Sequence, residues 1–253
     1  MTNAVTFTNL SFAYPKSALV FEEYTAAIEL GSVFAILGPN GRGKTTLLNV
    51  LLGLLKPTGT LRISGHMALV PQLFQVTFAF TVLDMVLMGR AKKIGLFGKP
   101  SKKDIDAAMQ ALERFGIDDL AERSFYRLSG GQRQLVILAR ALVAGASILI
   151  LDEPTSALDL KNQALVLHWM ERLAKKEGLT VIFTTHHPHH ALAVADNVLL
   201  MLDKKRYYCG NAKEVLTDAN LHELYGVPMK YLEFDYNGRS VCTLAPVFVN
   251  HDA

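Results

Sequence analysis

An α/β fold with a parallel sheet is predicted by three observations. Short apolar runs occur at Val33–Leu37, Ile148–Leu151 and Thr180–Thr185, without the strict alternation of a strand that has one wet face. Helix-spaced segments at 45–55 and 160–176 lie between them, which is the βαβ rhythm of a parallel sheet. The first run leads directly into a glycine-dense stretch, Gly38-Pro39-Asn40-Gly41-Arg42-Gly43-Lys44-Thr45-Thr46, where a buried strand hands over to a helix.

Taken in order, residues 5–12 alternate Val5, Phe7 and Leu10 with polar residues and read as a strand, as does 25–30. Strand Val33–Leu37, the glycine loop and helix 45–55 follow. A strand at Met67–Val70 stops at Pro71-Gln72, and the pattern turns helical through 82–89 and 103–115, with a basic, glycine-containing loop between them. A helix starting at Ser129 leads to strand Ile148–Leu151, then helix 160–176 and strand Thr180–Thr185. The last segment adds a strand at 198–202, helix at 212–225 and a hairpin turning at Asn237-Gly238.

Composition narrows the class. Half of the 253 residues are apolar and 19% are charged, enough to bury a full core in one domain with lobes. A net charge of +3 from 26 basic and 23 acidic residues gives no support for nucleic-acid binding. Cys209 and Cys242 stand far apart without metal-ligand spacing, which fits a reducing compartment. The first residues lack the basic and apolar regions of a signal peptide. The apolar stretch 135–151 is interrupted by Arg140 and by Gly145 to Ser147, so it reads as helix, loop and strand rather than a membrane span.

Three motifs carry chemistry. Gly38 to Thr45 fits G-x-x-x-x-G-K-[ST], a loop whose backbone N–H groups close around phosphates; Lys44 reaches the β and γ phosphates and the Thr45 hydroxyl ligates Mg²⁺. Ile148–Leu151 ends in Asp152 and Glu153. With a phosphate loop in the chain, the first carboxylate suits the metal shell and the second suits a general base for the attacking water. Leu128-Ser129-Gly130-Gly131-Gln132 opens a helix with Ser129 as N-cap, and its backbone donors and helix dipole suit a γ-phosphate.

These motifs, in this order and ending in Leu151-Asp152-Glu153-Pro154, resemble the ATPase subunits of ATP-binding cassette (ABC) transporters up to about Gly210. The resemblance implies a P-loop NTPase cassette: a RecA-like parallel-sheet core with an N-terminal antiparallel β subdomain (1–75 and 141–210), an inserted helical subdomain (76–140), and a C-terminal extension (211–253). It implies that Tyr14 stacks on adenine, that Gln72 contacts Mg²⁺ and the attacking water, that Ser156 to Asp159 crosses to a partner subunit, and that His186 contacts the γ-phosphate. Gly38, Pro39, Asn40, Gly41, Arg42, Gly43, Lys44, Thr45 and Thr46 would hold ATP, with Ser129, Gly130, Gly131, Gln132 and Asp159 contributed across a dimer. Thr45, Gln72 and Asp152 would hold Mg²⁺, and Glu153, His186 and Gln72 would act in hydrolysis.

Many relatives carry an acid after the switch histidine, where this chain has His187. His186, His187, His189 and His190 lie in one segment with no other ligands, so a zinc site is not the favoured reading. The resemblance also implies a homodimer with the phosphate loop of one subunit facing the Ser-Gly-Gly-Gln of the other. It implies docking on integral membrane permease subunits at the cytoplasmic face of the membrane, an indirect partnership with a substrate-binding protein, and no nucleic acid.

Residues 81–90 and 95–100 resemble importers of ferric siderophores, haem, cobalamin and related chelates. The short stretch from Gly59 to Pro71, with Thr184-Thr185-His186-His187-Pro188, resembles the molybdate and tungstate members of the same importer type. A soluble cassette acting on nucleic acid or ribosomes, and an exporter ATPase, are the competing functions. The first usually carries paired cassettes, coiled coils or zinc modules, none of which this sequence has.

Overall fold

The computed structural model describes residues 2–71, 79–95 and 98–248. The chain packs as two units, Met1–Ser64 with Met170–Ala253, and Gly65–Trp169.

In the first unit, β1 (Asn3–Ala13) lies between β2 (Leu19–Glu29) and β4 (Thr58–Ile63), antiparallel to both. Val5, Phe7, Leu10 and Phe12 are buried. The spacing slips between Phe7 and Leu10 because Asn9 adopts φ 48°, a bulge that keeps the apolar side chains on the inner face. Glu23, at φ 55°, sits at a second irregularity in β2, which starts six residues before the predicted 25–30.

The same unit holds the parallel core. β3 (Val33–Leu37) is flanked by β7 (Thr180–Thr185) and β8 (Asn197–Met201), both parallel to it, and β9 (Tyr207–Asn211) adds antiparallel to β8. Every residue of β3 and β7 is buried, which is why both read as unbroken runs in the sequence. α1 (Lys44–Leu51) ends before the predicted residue 55. Gly53 turns left-handed at φ 73°, and the amides of Gly53 and Leu54 close on Val50 and Asn49 at 3.0 and 2.9 Å. α7 (Pro188–Val194), α8 (Ala212–Val215) and α9 (Asp218–Tyr225) precede the hairpin β10 (Met229–Tyr236) and β11 (Arg239–Pro246). Its turn residues Asn237 and Gly238 have φ of 52° and 72°, the paired positive φ of a two-residue hairpin.

The second unit pairs β5 (Met67–Val70) in parallel with β6 (Ile148–Leu151) and adds helices α2 (Val82–Leu87), α3 (Ala91–Ile94), α4 (Lys102–Arg114) and α5 (Gly130–Val143). α6 (Leu160–Glu177) begins in this unit, and the unit boundary falls within it. α2, α4 and α5 pack on one another. Each of the three begins with the same device: Thr81 with Asp84, Ser101 with Asp104 and Ser129 with Gln132 form reciprocal capping boxes. Each N-cap stabilises its helix by about 1 kcal/mol. No helix among the described residues is long and apolar enough to cross a membrane.

Candidate functional site

In the first unit the phosphate-loop pattern wraps around its own lysine. Lys44 is 6% exposed, and its Nζ donates to the carbonyls of Gly38 at 2.8 Å and Pro39 at 3.3 Å. The ammonium therefore lies inside the loop rather than in solvent. Gly43 caps α1 at φ 96°, and a Cβ there would lie 2.5 Å from Val20 Cγ1, so backbone conformation and space both require glycine. Thr45 and Thr46 follow in the first turn of α1.

Two distant residues join this loop. The Tyr14 hydroxyl is 3.2 Å from Thr46 Oγ1, across 32 residues of sequence. Its ring is 42% exposed and stands edge-on to Phe12 at 5.0 Å, which fixes its plane and leaves aromatic surface for a base. His186 arrives through strand register: Leu37 pairs with Thr185, so the residues one step beyond, Gly38 and His186, leave the sheet side by side.

His186 begins a run of close imidazoles. Ring centroids are 4.0 Å apart for His186 and His187, 4.9 Å for His187 and His190, and 4.3 Å for His189 and His190. Burial, then the neighbouring imidazoles His189, His187 and His186, push His190 down to about 3, so it is neutral in the fold. No group of three or more His, Cys, Asp or Glu side chains suited to a metal ion occurs among the described residues.

The second unit carries the carboxylates and the Ser-Gly-Gly-Gln motif. β6 delivers Asp152, whose N–H donates to Val70 O at 3.1 Å, and then Glu153 at φ 45°. A left-handed glutamate costs about 1 kcal/mol or more and marks a position held by its surroundings. Here Ser156 holds it, donating to Glu153 O through its N–H at 3.2 Å and its Oγ at 3.0 Å. Glu153 lines a cavity of about 190 Å³ with Gly130, Arg133, Gln134, Ser156 and Leu158. Glu153 and the start of α5 thus line one concavity.

Ser129 is the N-cap predicted from sequence. Its Oγ accepts from Gln132 N at 3.3 Å, and Gln132 Oε1 accepts from Ser129 N at 3.0 Å. The two glycines are required by space. A Cβ on Gly130 would lie 2.9 Å from Leu158 Cδ2, and one on Gly131 would lie 2.0 Å from Asn162 Oδ1. α5 starts against residues 158–162, where Asp159 caps α6 by accepting from Asn162 N at 2.8 Å.

Gln72 lies outside the described residues. Tyr225 and Gln134 escaped the sequence reading. The Tyr225 hydroxyl donates to His186 O at 3.1 Å, and Gln134 Nε2 is buried beside the Glu153 cavity with no hydrogen-bond partner among the described residues. Helical spacing could have flagged Gln134, four residues past Gly130 and so on the same face of α5, whereas nothing local in the sequence ties residue 225 to residue 186.

Comparison with known proteins gives this geometry its context. Residues 21–156 match the family model described as ABC transporter. The chain is 41% identical, over 98% of both chains, to the molybdate import ATP-binding protein MolC of Haemophilus influenzae. It is 39% identical to a probable iron chelatin transport ATP-binding protein of Helicobacter pylori, covering 90% of this chain and 94% of that one. Among solved structures, one of a metal-chelate type ABC transporter in an inward-facing conformation superposes with a TM-score of 0.92 at 40% identity, covering 98% of each chain. The chain belongs to the ABC transporter family, as one of its ATP-binding subunits that hydrolyse ATP.

Proposed function

We propose that this chain energises an importer of molybdate or tungstate oxyanions. The observation that carries this reading is full-length similarity to a molybdate import subunit at 41% identity. The short stretch from Gly59 to Pro71, with Thr184-Thr185-His186-His187-Pro188, is the sequence feature that resembles the oxyanion members. A metal chelate is the second substrate class, favoured by the iron chelatin relative and by the metal-chelate type structure.

In this reading ATP lies with its adenine on Tyr14 and its phosphates in the loop of Gly38, Pro39, Asn40, Gly41, Arg42, Gly43, Lys44, Thr45 and Thr46. Lys44 exchanges its hold on the Gly38 and Pro39 carbonyls for the β and γ phosphates. The Thr45 hydroxyl and the Asp152 carboxylate are hard oxygen donors of the kind Mg²⁺ prefers, with Gln72 as a third. When bound, the ion neutralises phosphate charge. Glu153 accepts the proton of the attacking water, and His186 steadies the γ-phosphate.

Ser129, Gly130, Gly131, Gln132 and Asp159 serve the site of a second copy, in a head-to-tail homodimer with two complete sites. Permease subunits at the cytoplasmic face of the membrane receive the closing motion, and a binding protein outside delivers the oxyanion. The variant Glu153→Gln is expected to bind ATP, lose turnover and accumulate as a dimer in size-exclusion chromatography with ATP. Wild-type turnover in that variant would remove Glu153 from the role of base. Substrate class is tested with the permease-bound subunit in proteoliposomes: binding protein loaded with molybdate stimulates ATP turnover, and stimulation by a ferric chelate alone would favour the second class.

A further inference from the structure

The peptide unit joining His186 to His187 is held at both ends by side-chain hydroxyls. Thr185 Oγ1 accepts from His187 N at 3.0 Å, and the Tyr225 hydroxyl donates to His186 O at 3.1 Å. A peptide is planar, so fixing its oxygen and its N–H fixes the orientation of the whole unit; with the preceding residue held in the β3–β7 ladder, where Leu37 pairs with Thr185, this sets the direction in which the His186 side chain leaves the backbone. Thr185 belongs to β7 and comes with the strand. Tyr225 comes from 39 residues downstream, beyond the parallel core.

The C-terminal segment is braced for such a contact. Tyr225 is the last residue of α9, which Thr217 caps by accepting from Asn220 N at 3.2 Å and Gly226 ends at φ 70°. Asp218 in the first turn of α9 accepts from Tyr231 N at 2.8 Å and Lys230 Nζ at 3.1 Å, tying the helix to β10. β11, the other strand of the hairpin, packs on α7, the helix that begins two residues after His186. The turn carrying the histidine is thus held by the hydroxyl of α9, and the helix that follows the turn is packed against the hairpin.

We infer that Tyr225 is a positioning residue for His186, and that residues 212–248 form a brace that sets the histidine's geometry for γ-phosphate contact. The inference rests on the role proposed for His186. Pre-orienting a group that acts in the transition state changes turnover more than nucleotide affinity.

The test is a double-mutant cycle on the full chain, with kcat and KM for ATP measured for wild type, Tyr225→Phe, His186→Ala and the double variant. Tyr225→Phe removes only the hydroxyl. It is expected to lower kcat about five-fold, the usual worth of one hydrogen bond, with KM changed less than about two-fold. In the His186→Ala background the same substitution is expected to change kcat by less than about two-fold. An equal loss in both backgrounds, an unchanged kcat in Tyr225→Phe, or a loss appearing only in KM overturns the inference while leaving His186 in its role. Wild-type kcat in His186→Ala removes the role of the histidine, and the inference falls with it.

Discussion

Gly131→Ala tests why the Ser-Gly-Gly-Gln motif needs its second glycine. The residue occupies the second position of α5, where alanine would stabilise a helix by up to about 1 kcal/mol over glycine. The fold opposes that gain. A Cβ at Gly131 would lie 2.0 Å from Asn162 Oδ1, 2.5 Å from its Cγ and 3.1 Å from its Cβ. Ordinary contact distances require the Asn162 side chain or the first turn of α5 to retreat by about 1 Å or more. Overpacking of this kind costs about 1 to 3 kcal/mol, which outweighs the helical gain and leaves a net loss of about 1 kcal/mol.

The assay is thermal unfolding of the nucleotide-free chain, where that loss lowers the midpoint by about 2 to 4 °C. Asn162→Ala removes the two closest atoms, so Gly131→Ala in that background should be neutral or stabilising, with a coupling of about 1 kcal/mol or more. A raised midpoint in the single variant, or the same fall in both backgrounds, would refute the packing argument. The glycine would then be required only by what its backbone binds.

Two further outcomes follow from local geometry. His190 is 3% exposed and neutral in the fold, while an unfolded histidine takes up a proton below about pH 6.5. Its lowered value therefore withdraws stability as pH falls from about 6.5 towards 3, by about 1 to 2 kcal/mol at pH 5. Denaturant midpoints at pH 7.5 and pH 5 should differ less in His190→Asn than in wild type, and an unchanged slope would refute the assignment. Ser101→Ala removes the cap of α4, where Ser101 Oγ both accepts from Asp104 N and donates to Asp104 Oδ2. The expected cost is about 1 kcal/mol, read as a midpoint about 2 to 4 °C lower with ATP turnover unchanged.

The parallel strands are legible in the sequence because most are buried throughout. β3, β5, β6 and β7 fall on their predicted residues, three of them buried along their whole length. β4 went unread because Thr-Gly-Thr-Leu-Arg-Ile is mostly exposed: its partner is the backbone of β1, and hydrogen bonds across a sheet leave no hydrophobic period. β9 is likewise a half-exposed edge, and α7 starts on Pro188 inside a histidine-rich turn that looks like loop. The bulges at Asn9 and Glu23 break the two-residue period that would have given the full extent of β2.

At the site, local motifs foretold local geometry: the loop around Lys44 and the Ser129 cap both form from adjacent residues. Tyr14 and Tyr225 reach their partners through tertiary packing, across 32 and 39 residues. Resemblance to a family implied adenine stacking for Tyr14, not its contact with Thr46. For Tyr225 there was no corresponding motif.

The left-handed backbone at Glu153 has a consequence for anyone who engineers this chain. Glycine or asparagine relaxes in that conformation, so a screen that selects heat resistance alone would favour either at residue 153. The hardier protein would lack the carboxylate assigned to water activation. At this position durability and turnover are opposed, and an optimiser should hold residue 153 fixed and look for its gains elsewhere.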